Sequence, residues 1–247
     1  AGADAYCQDS ILREDVLLTN ATGAYGLALS EHLLAQLLAM MKKLYPYYDN
    51  QKKGLWHDEG EVTSIEDSRV LILGIGDIGR AFARRVKALG AHVTGVRRRE
   101  GAKPFGIDEI GKMDDLHELL GAADIVVSTL PATAATTGLF DKTCFAAMKK
   151  GAYFLNIGRG TAVITADLIE AMQSGRLAGA ALDVTDPEPL PPDHPLWRTP
   201  NVYITPHISG DYHLPATQDK IIQIAARNLT AFLHGEPLEN LVDRTTG

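Results

Sequence analysis

A doubly wound α/β fold on a parallel sheet is predicted by three observations. Short apolar runs alternate with segments of helical spacing from residue 70 to residue 205. The first run, Val70-Leu71-Ile72-Leu73, is apolar at every position, as a strand covered on both faces must be. That run ends on Gly74-Ile75-Gly76-Asp77-Ile78-Gly79, a GxGxxG turn that opens a helical pattern.

The elements follow in order. Leu29, Leu33, Leu37, Leu38, Met41 and Leu44 recur on one helical face and predict a helix over 28–44. Ser30 and Glu31 stand near its start, and Lys42 and Lys43 suit its C-terminal dipole. The polar stretch after it, with Gly54 and Gly60, reads as a connection. Beyond Val70–Leu73, a helix is expected over Asp77–Leu89, stopping at Gly90, and a strand over His92–Val96. A helix over Met113–Leu120 and a strand over Asp124–Leu130, broken by Pro131, come next. Helices over Asp141–Lys149 and Thr165–Gln173 then alternate with strands over Ala152–Ile157 and Ala178–Val184. Asn201–Thr205 reads as one more strand. The last helical pattern, Ala216 to Leu233, comes after the alternation has ended.

Composition narrows the class. The chain has 247 residues, 45% hydrophobic and 22% charged, which suits one large or two small globular domains. A net charge of −7 argues against nucleic acid or an anionic membrane as the main partner. Two distant cysteines, Cys7 and Cys144, form neither a zinc pattern nor a disulfide framework, so no metal is expected and the default compartment is a reducing cytoplasm. No apolar run reaches transmembrane length, and no signal peptide is read. The chain opens on Ala1-Gly2-Ala3-Asp4 without Met and reads like the middle of a protein.

The glycine loop carries specific physics. Gly74 permits the tight turn, Gly76 lets backbone approach a pyrophosphate, and Gly79 allows helix to pack on strand. The first turn, with Asp77 and Ile78, offers N–H groups and a partial positive charge to the anion. This is the phosphate site of a Rossmann-type dinucleotide fold; the alternative is a tight βα turn without a ligand. NAD-binding versions place an acidic residue about 20 positions on, to bind the ribose hydroxyls. Here that place holds Arg97-Arg98-Arg99, whose guanidinium groups suit a 2′-phosphate. NADP is therefore the expected cofactor, with NAD second. The alternative for the arginines is a solvated basic turn.

Three further segments follow predicted strands, where ligands of open α/β sheets collect. They are Asn156-Ile157-Gly158-Arg159-Gly160, Leu182 to Pro189, and Thr205-Pro206-His207-Ile208-Ser209-Gly210. Arg159 could bind a carboxylate as a bidentate fork. His207 could exchange a proton near neutral pH, with Glu188 holding the imidazole. Taken singly, each has a bland reading: a solvated turn, a rigid Pro-rich loop, a structural histidine.

The stretches GIGDIG, LPATAATTGLF, FLNIGRG, AALDVTDPEPL, HPLW and TPHISG stand in the order and spacing of the D-2-hydroxyacid dehydrogenase family, which the sequence resembles over nearly its whole length. Thr22-Gly23-Ala24-Tyr25 and Ser30-Glu31-His32 extend the likeness. The resemblance implies a catalytic set of Arg159, Glu188 and His207. It places Leu130, Pro131 and Thr136 on a cofactor-contacting loop, and Ile157 and Asp183 at the nicotinamide end. Gly210, and His207 again, fall beside the cofactor. It implies hydride transfer between NADP(H) and a small 2-keto or 2-hydroxy acid, in a protein that commonly forms homodimers. It also implies remnants of a second, substrate domain: residues 1–45 as the end of the substrate lobe with an interdomain helix, 46–206 as the dinucleotide domain, and 207–247 as the His loop and returning helix. Most of the N-terminal lobe is absent from the match, which would leave the apolar face of the last helix exposed. The competing reading is a dehydrogenase-like regulatory module that binds dinucleotide without turnover.

Overall fold

The computed structural model describes residues 2, 3, 6, 12, 13, 15–98 and 101–243. Among them a seven-stranded parallel sheet runs in the order β3-β2-β1-β4-β5-β6-β7. Its strands are β1 Arg69–Leu73, β2 His92–Val96, β3 Glu109–Gly111, β4 Ile125–Ser128, β5 Ala152–Asn156, β6 Leu177–Leu182 and β7 Val202–Ile204. The helices are α1 Gly26–Met41, α2 Leu44–Lys52, α3 Asp77–Ala88, α4 Leu116–Ala122, α5 Lys142–Ala147, α6 Thr165–Gln173 and α7 Pro215–His234.

Alternation along β1 divides the core. Val70 and Ile72 point to one face, where Leu29, Leu33 and Leu37 of α1 meet Phe82 and Val86 of α3. Leu71 and Leu73 point to the other, against Leu120 of α4, Phe145 of α5 and Leu168 of α6. On that second face Phe154 packs edge-on against Phe140 and Phe145, with ring centroids 4.9 and 5.5 Å apart. Burial on both faces explains why the central strands read as continuous apolar runs.

Several boundaries differ from the sequence-based expectation. The helix expected over 28–44 is two helices. α1 starts at Gly26, so Ser30 lies inside it, its hydroxyl bonded back to the Gly26 carbonyl. Lys43, at φ +54°, then breaks the run, and α2 follows where a connection was expected. α2 buries only Asn50 and so leaves no apolar stripe to read. β3 was not expected; it is a three-residue edge strand with Glu109 and Ile110 exposed. The helix expected from Met113 begins as a 3₁₀ turn over Met113–Asp115. Asp141 is not in α5 but caps it, accepting the Cys144 N–H at 2.9 Å. Strand β4 stops at Ser128, two residues short of the expected end.

The sheet order places a switch point between β1 and β4, since β2 and β3 lie to one side and β5 to β7 to the other. A crevice at the carboxyl ends of these strands is the general ligand site of such sheets. Near the C-terminus, α7 leaves Ile222, Leu229, Phe232 and Leu233 exposed. No helix among the described residues is long and apolar enough to cross a membrane.

Candidate active site

The crevice is assembled from loops that follow β1, β4, β5, β6 and β7. Glycine brings their backbones together. A Cβ on Gly79 would collide with the Gly74 carbonyl, so α3 can pack on β1 only without one. A Cβ on Gly158 would strike the Leu130 backbone, and one on Gly160 the Thr185 carbonyl. The loops after β4, β5 and β6 are thus stacked main chain against main chain. Thr129 joins the first of them to the glycine turn, its N–H on the Leu73 carbonyl at 2.9 Å and its hydroxyl on the Gly74 carbonyl.

Gly76 is different. A Cβ there would meet nothing within 4 Å, and the residue is exposed. It is the N-cap of α3, which no side chain caps. Backbone N–H groups at this helix start therefore face an open cradle, the arrangement that holds a pyrophosphate. The residues present fit a dinucleotide. Ile78 turns away and packs on the core face shared by α1 and α3. Asp77 points elsewhere: its Oδ2 accepts the N–H groups of Gly23 at 3.0 Å and Gly26 at 2.9 Å. It ties the cradle to the start of α1.

Arg97 and Arg98 directly follow β2. The Arg97 guanidinium donates to the carbonyls of Gly101 and Ala102, the latter at 3.1 Å, and so braces its own loop. Arg98 is exposed. Arg99 lies outside the described residues.

Leu130 packs on the core beside α4 to α6, and Pro131 is exposed at the crevice rim. Thr136 folds this loop on itself, accepting the Thr133 N–H at 2.9 Å and donating to the Pro131 carbonyl at 2.6 Å. After β5, Ile157 is buried. The Asn156 amide shapes the turn: its Nδ2 donates to the Arg159 carbonyl at 2.8 Å and its Oδ1 accepts the Gly158 N–H at 3.2 Å. Arg159, half-buried, has Nη1 on the Gly158 carbonyl at 2.7 Å.

His207 and Glu188 come together. Nδ1 of His207 lies 2.8 Å from Glu188 Oε2, while Glu188 Oε1 accepts the Thr185 N–H at 2.9 Å. An ionised carboxylate only accepts, so Nδ1 carries the proton and Nε2 is left for exchange. The imidazole is half exposed, open to a substrate.

Asp183 has more partners than the sequence suggested. Its buried carboxylate accepts the Thr205 hydroxyl at 2.6 Å, the Ile208 N–H at 3.1 Å, and both the N–H and hydroxyl of Ser209. Its carbonyl accepts the His207 N–H at 2.8 Å. Thr205, Ser209 and Asn156 were inside recognised motifs but were not read as functional, and His32 was read only as part of a helix start. Gly210 sits against Leu29 and Tyr25 of the α1 start. Burial pushes the Tyr25 phenol up, with Tyr212 and Asp211 adding to it, so it stays a hydrogen-bond donor. Burial likewise pushes the Cys144 thiol up, which suits a core residue and not a nucleophile. Among the described residues no cluster of His, Cys, Asp and Glu is arranged to hold a metal ion.

Residues 34–209 match the family model for the NAD binding domain of D-isomer specific 2-hydroxyacid dehydrogenases. Glyoxylate/hydroxypyruvate reductase A of Salmonella newport is 35% identical over 222 residues, covering 90% of this chain and 69% of that protein. A D-isomer specific 2-hydroxyacid dehydrogenase family protein from Aeromonas salmonicida is 39% identical with a TM-score of 0.88, covering 98% of this chain and 76% of that one. A D-isomer specific 2-hydroxyacid dehydrogenase from Xanthobacter autotrophicus, solved with NADPH and MES, is 33% identical with a TM-score of 0.86, covering 99% of each chain.

Proposed function

This chain belongs to the D-isomer specific 2-hydroxyacid dehydrogenase family, and from that premise we propose that it is an NADP(H)-dependent reductase of small 2-keto acids acting through Arg159, Glu188 and His207. The enzyme is an oxidoreductase of the hydride-transfer class, using NADP, with NAD as the second choice. The observation that carries the reading is the His207–Glu188 pair, 2.8 Å apart, in a loop stack that also holds the open Gly76 cradle.

The cofactor, when bound, supplies or takes the hydride at C2 of the acid. Gly74 to Gly79 would hold its pyrophosphate, Arg98 and Arg99 its 2′-phosphate on a loop that Arg97 braces, and Leu130, Pro131, Thr136, Ile157, Asp183 and Gly210 would line its path. Arg159 binds the substrate carboxylate and polarises the neighbouring carbonyl. His207 Nε2 gives its proton to the carbonyl oxygen during reduction and takes it back during oxidation. Glu188 keeps the ring in one orientation, with Nδ1–H toward its carboxylate and Nε2 toward the substrate. We assign residues 46–206 to the dinucleotide domain, 1–45 to the end of the substrate lobe with an interdomain helix, and 207–247 to the His loop and the helix returning toward that lobe.

The test is steady-state reduction of glyoxylate, hydroxypyruvate and related 2-keto acids by the full-length protein, with NADPH and NADH compared. Turnover favouring NADPH is expected. Cofactor binding without turnover on any 2-keto acid would replace this reading with a regulatory module. We also assign the protein to the cytoplasm as a homodimer. Leu55 and the fully exposed Trp56, between α2 and β1, offer apolar surface for a second copy. Sedimentation equilibrium checks the assembly; a monomer at micromolar concentration overturns it.

A further inference from the structure

His32, a residue of α1 far from the reacting set in sequence, is wired to the His207 loop. Its Nε2 lies 3.0 Å from Thr205 Oγ1, and its side chain is mostly buried. Thr205 Oγ1 lies 2.6 Å from Asp183 Oδ1. A hydroxyl has one proton, and a carboxylate can only accept, so that proton goes to Asp183. Thr205 can then only accept from His32, which fixes the proton on Nε2. The same nitrogen lies 3.9 Å from Asp183 Oδ1.

Asp183 in turn grips three consecutive residues. Its carbonyl takes the His207 N–H, and its carboxylate takes the N–H groups of Ile208 and Ser209. His207 itself has φ +53°, the left-handed region, and it is not glycine. Such a conformation is unfavourable and persists only where the surroundings over-determine it. Asp183 holds it here together with the Thr205 carbonyl, which shares the His207 N–H at 2.9 Å, and the orientation of the carboxylate depends on the donors around it.

We propose that His32 is a positioning residue of the reaction: by donating to Thr205, and through it to Asp183, it fixes the carboxylate that holds the His207 loop in register with Glu188. The proposal rests on the reading of His207 as the proton-exchanging group. It places a control point of the reaction on α1, a helix that also starts at the Asp77 contact with the cofactor cradle.

The test compares His32→Leu with His32→Gln in the full-length protein. Gln keeps a nitrogen donor at similar reach; Leu does not. His32→Leu should lower kcat ten- to a hundredfold, the order of loss for a slightly misplaced reacting group, with KM for NADPH little changed. It should also shift the Cε1–H resonance of His207, observed by NMR without cofactor. His32→Gln should restore both. If His32→Leu does not fold, Thr205→Val breaks the same chain and Thr205→Ser keeps it, with the same paired expectation. Unchanged kcat and an unmoved resonance in the Leu or Val variant overturn the proposal, and so does equal impairment of each pair. The reading of His207 fails separately, if the unaltered protein reduces no 2-keto acid or if His207→Ala turns over normally. The His207 resonance still judges His32 in that case.

Discussion

At the glycine loop the crevice is shaped by side chains that are missing, whereas at the His207 loop it is held by side chains that are present. Gly79 lets α3 approach β1, Gly74 lets the Thr129 loop approach the turn, and Gly76 leaves the cradle open. At the other end Asp183, Thr205, Ser209 and His32 form a bonded network, and Glu188 adds a separate clamp on the ring. The first end offers main-chain N–H groups, which hardly depend on rotamers. On the proposed function the second aims one imidazole nitrogen, so every rotamer in its support matters. The two ends should therefore fail in different ways when altered.

The largest effect is expected at the reacting end. His207→Ala should cut kcat by about 10²- to 10⁴-fold, the usual contribution of a positioned acid–base group. NADPH affinity, measured by fluorescence titration, should barely move. A matching loss of affinity would show that the two ends are not separable. At the glycine end, Gly79→Ala puts a Cβ into the Gly74 carbonyl and should cost about 1–3 kcal/mol of stability, read by chemical denaturation. Gly76→Ala meets no protein atom and should cost at most about 1 kcal/mol of stability, for a less favourable N-cap residue, while weakening NADPH binding by about tenfold or more, the equivalent of roughly 1.4 kcal/mol. If Gly76→Ala destabilised the fold and spared the cofactor, the cradle would be misassigned.

The same contrast explains what could be read from sequence. The glycine loop is local: six consecutive letters after an apolar run carry the turn, the approach and the packing, and β1, β2, β4, β5 and β6 were legible for the same reason. The Asp183 network joins His32 of α1, Asp183 after β6, and Thr205 and Ser209 in the loop after β7, and no local spacing records such a match. His207 and Glu188 could be picked out as candidates because both follow strand ends, where ligands of such sheets collect, and the structure brings the two side chains to 2.8 Å. Asp77 was read as part of the phosphate turn, and its contacts with Gly23 and Gly26 were invisible because they bridge more than fifty positions. β3 and α2 escaped because each buries too little to leave a pattern.

A fourth variant sharpens the comparison at the end of β2, with a smaller effect. Arg98 is exposed beside the end of β2, whereas Arg97 spends its guanidinium on the Gly101 and Ala102 carbonyls. Arg98→Ala should weaken NADPH binding by about tenfold, the low end for a lost charge-assisted bond, and leave NADH alone. Equal loss for both cofactors would assign Arg98 to the loop and not to the phosphate.

The smallest effect is expected where the two modes of construction meet. Asp77 stands in the glycine loop but acts by its side chain, accepting two N–H groups from the segment that leads into α1. Asp77→Ala would leave those donors to water, because the contact with Gly23 is exposed and that with Gly26 only partly buried. The cost should be about 0.5–1.5 kcal/mol, that of an ordinary hydrogen bond, seen as a modest fall in the denaturation midpoint. Asp77→Asn keeps an acceptor and should recover most of it. NADPH affinity should follow stability only weakly, since the cradle N–H groups belong to the backbone and remain in place. A large loss of affinity in Asp77→Ala, with stability intact, would mean that the α1 start sets the shape of the cradle and that the glycine end, too, depends on side chains.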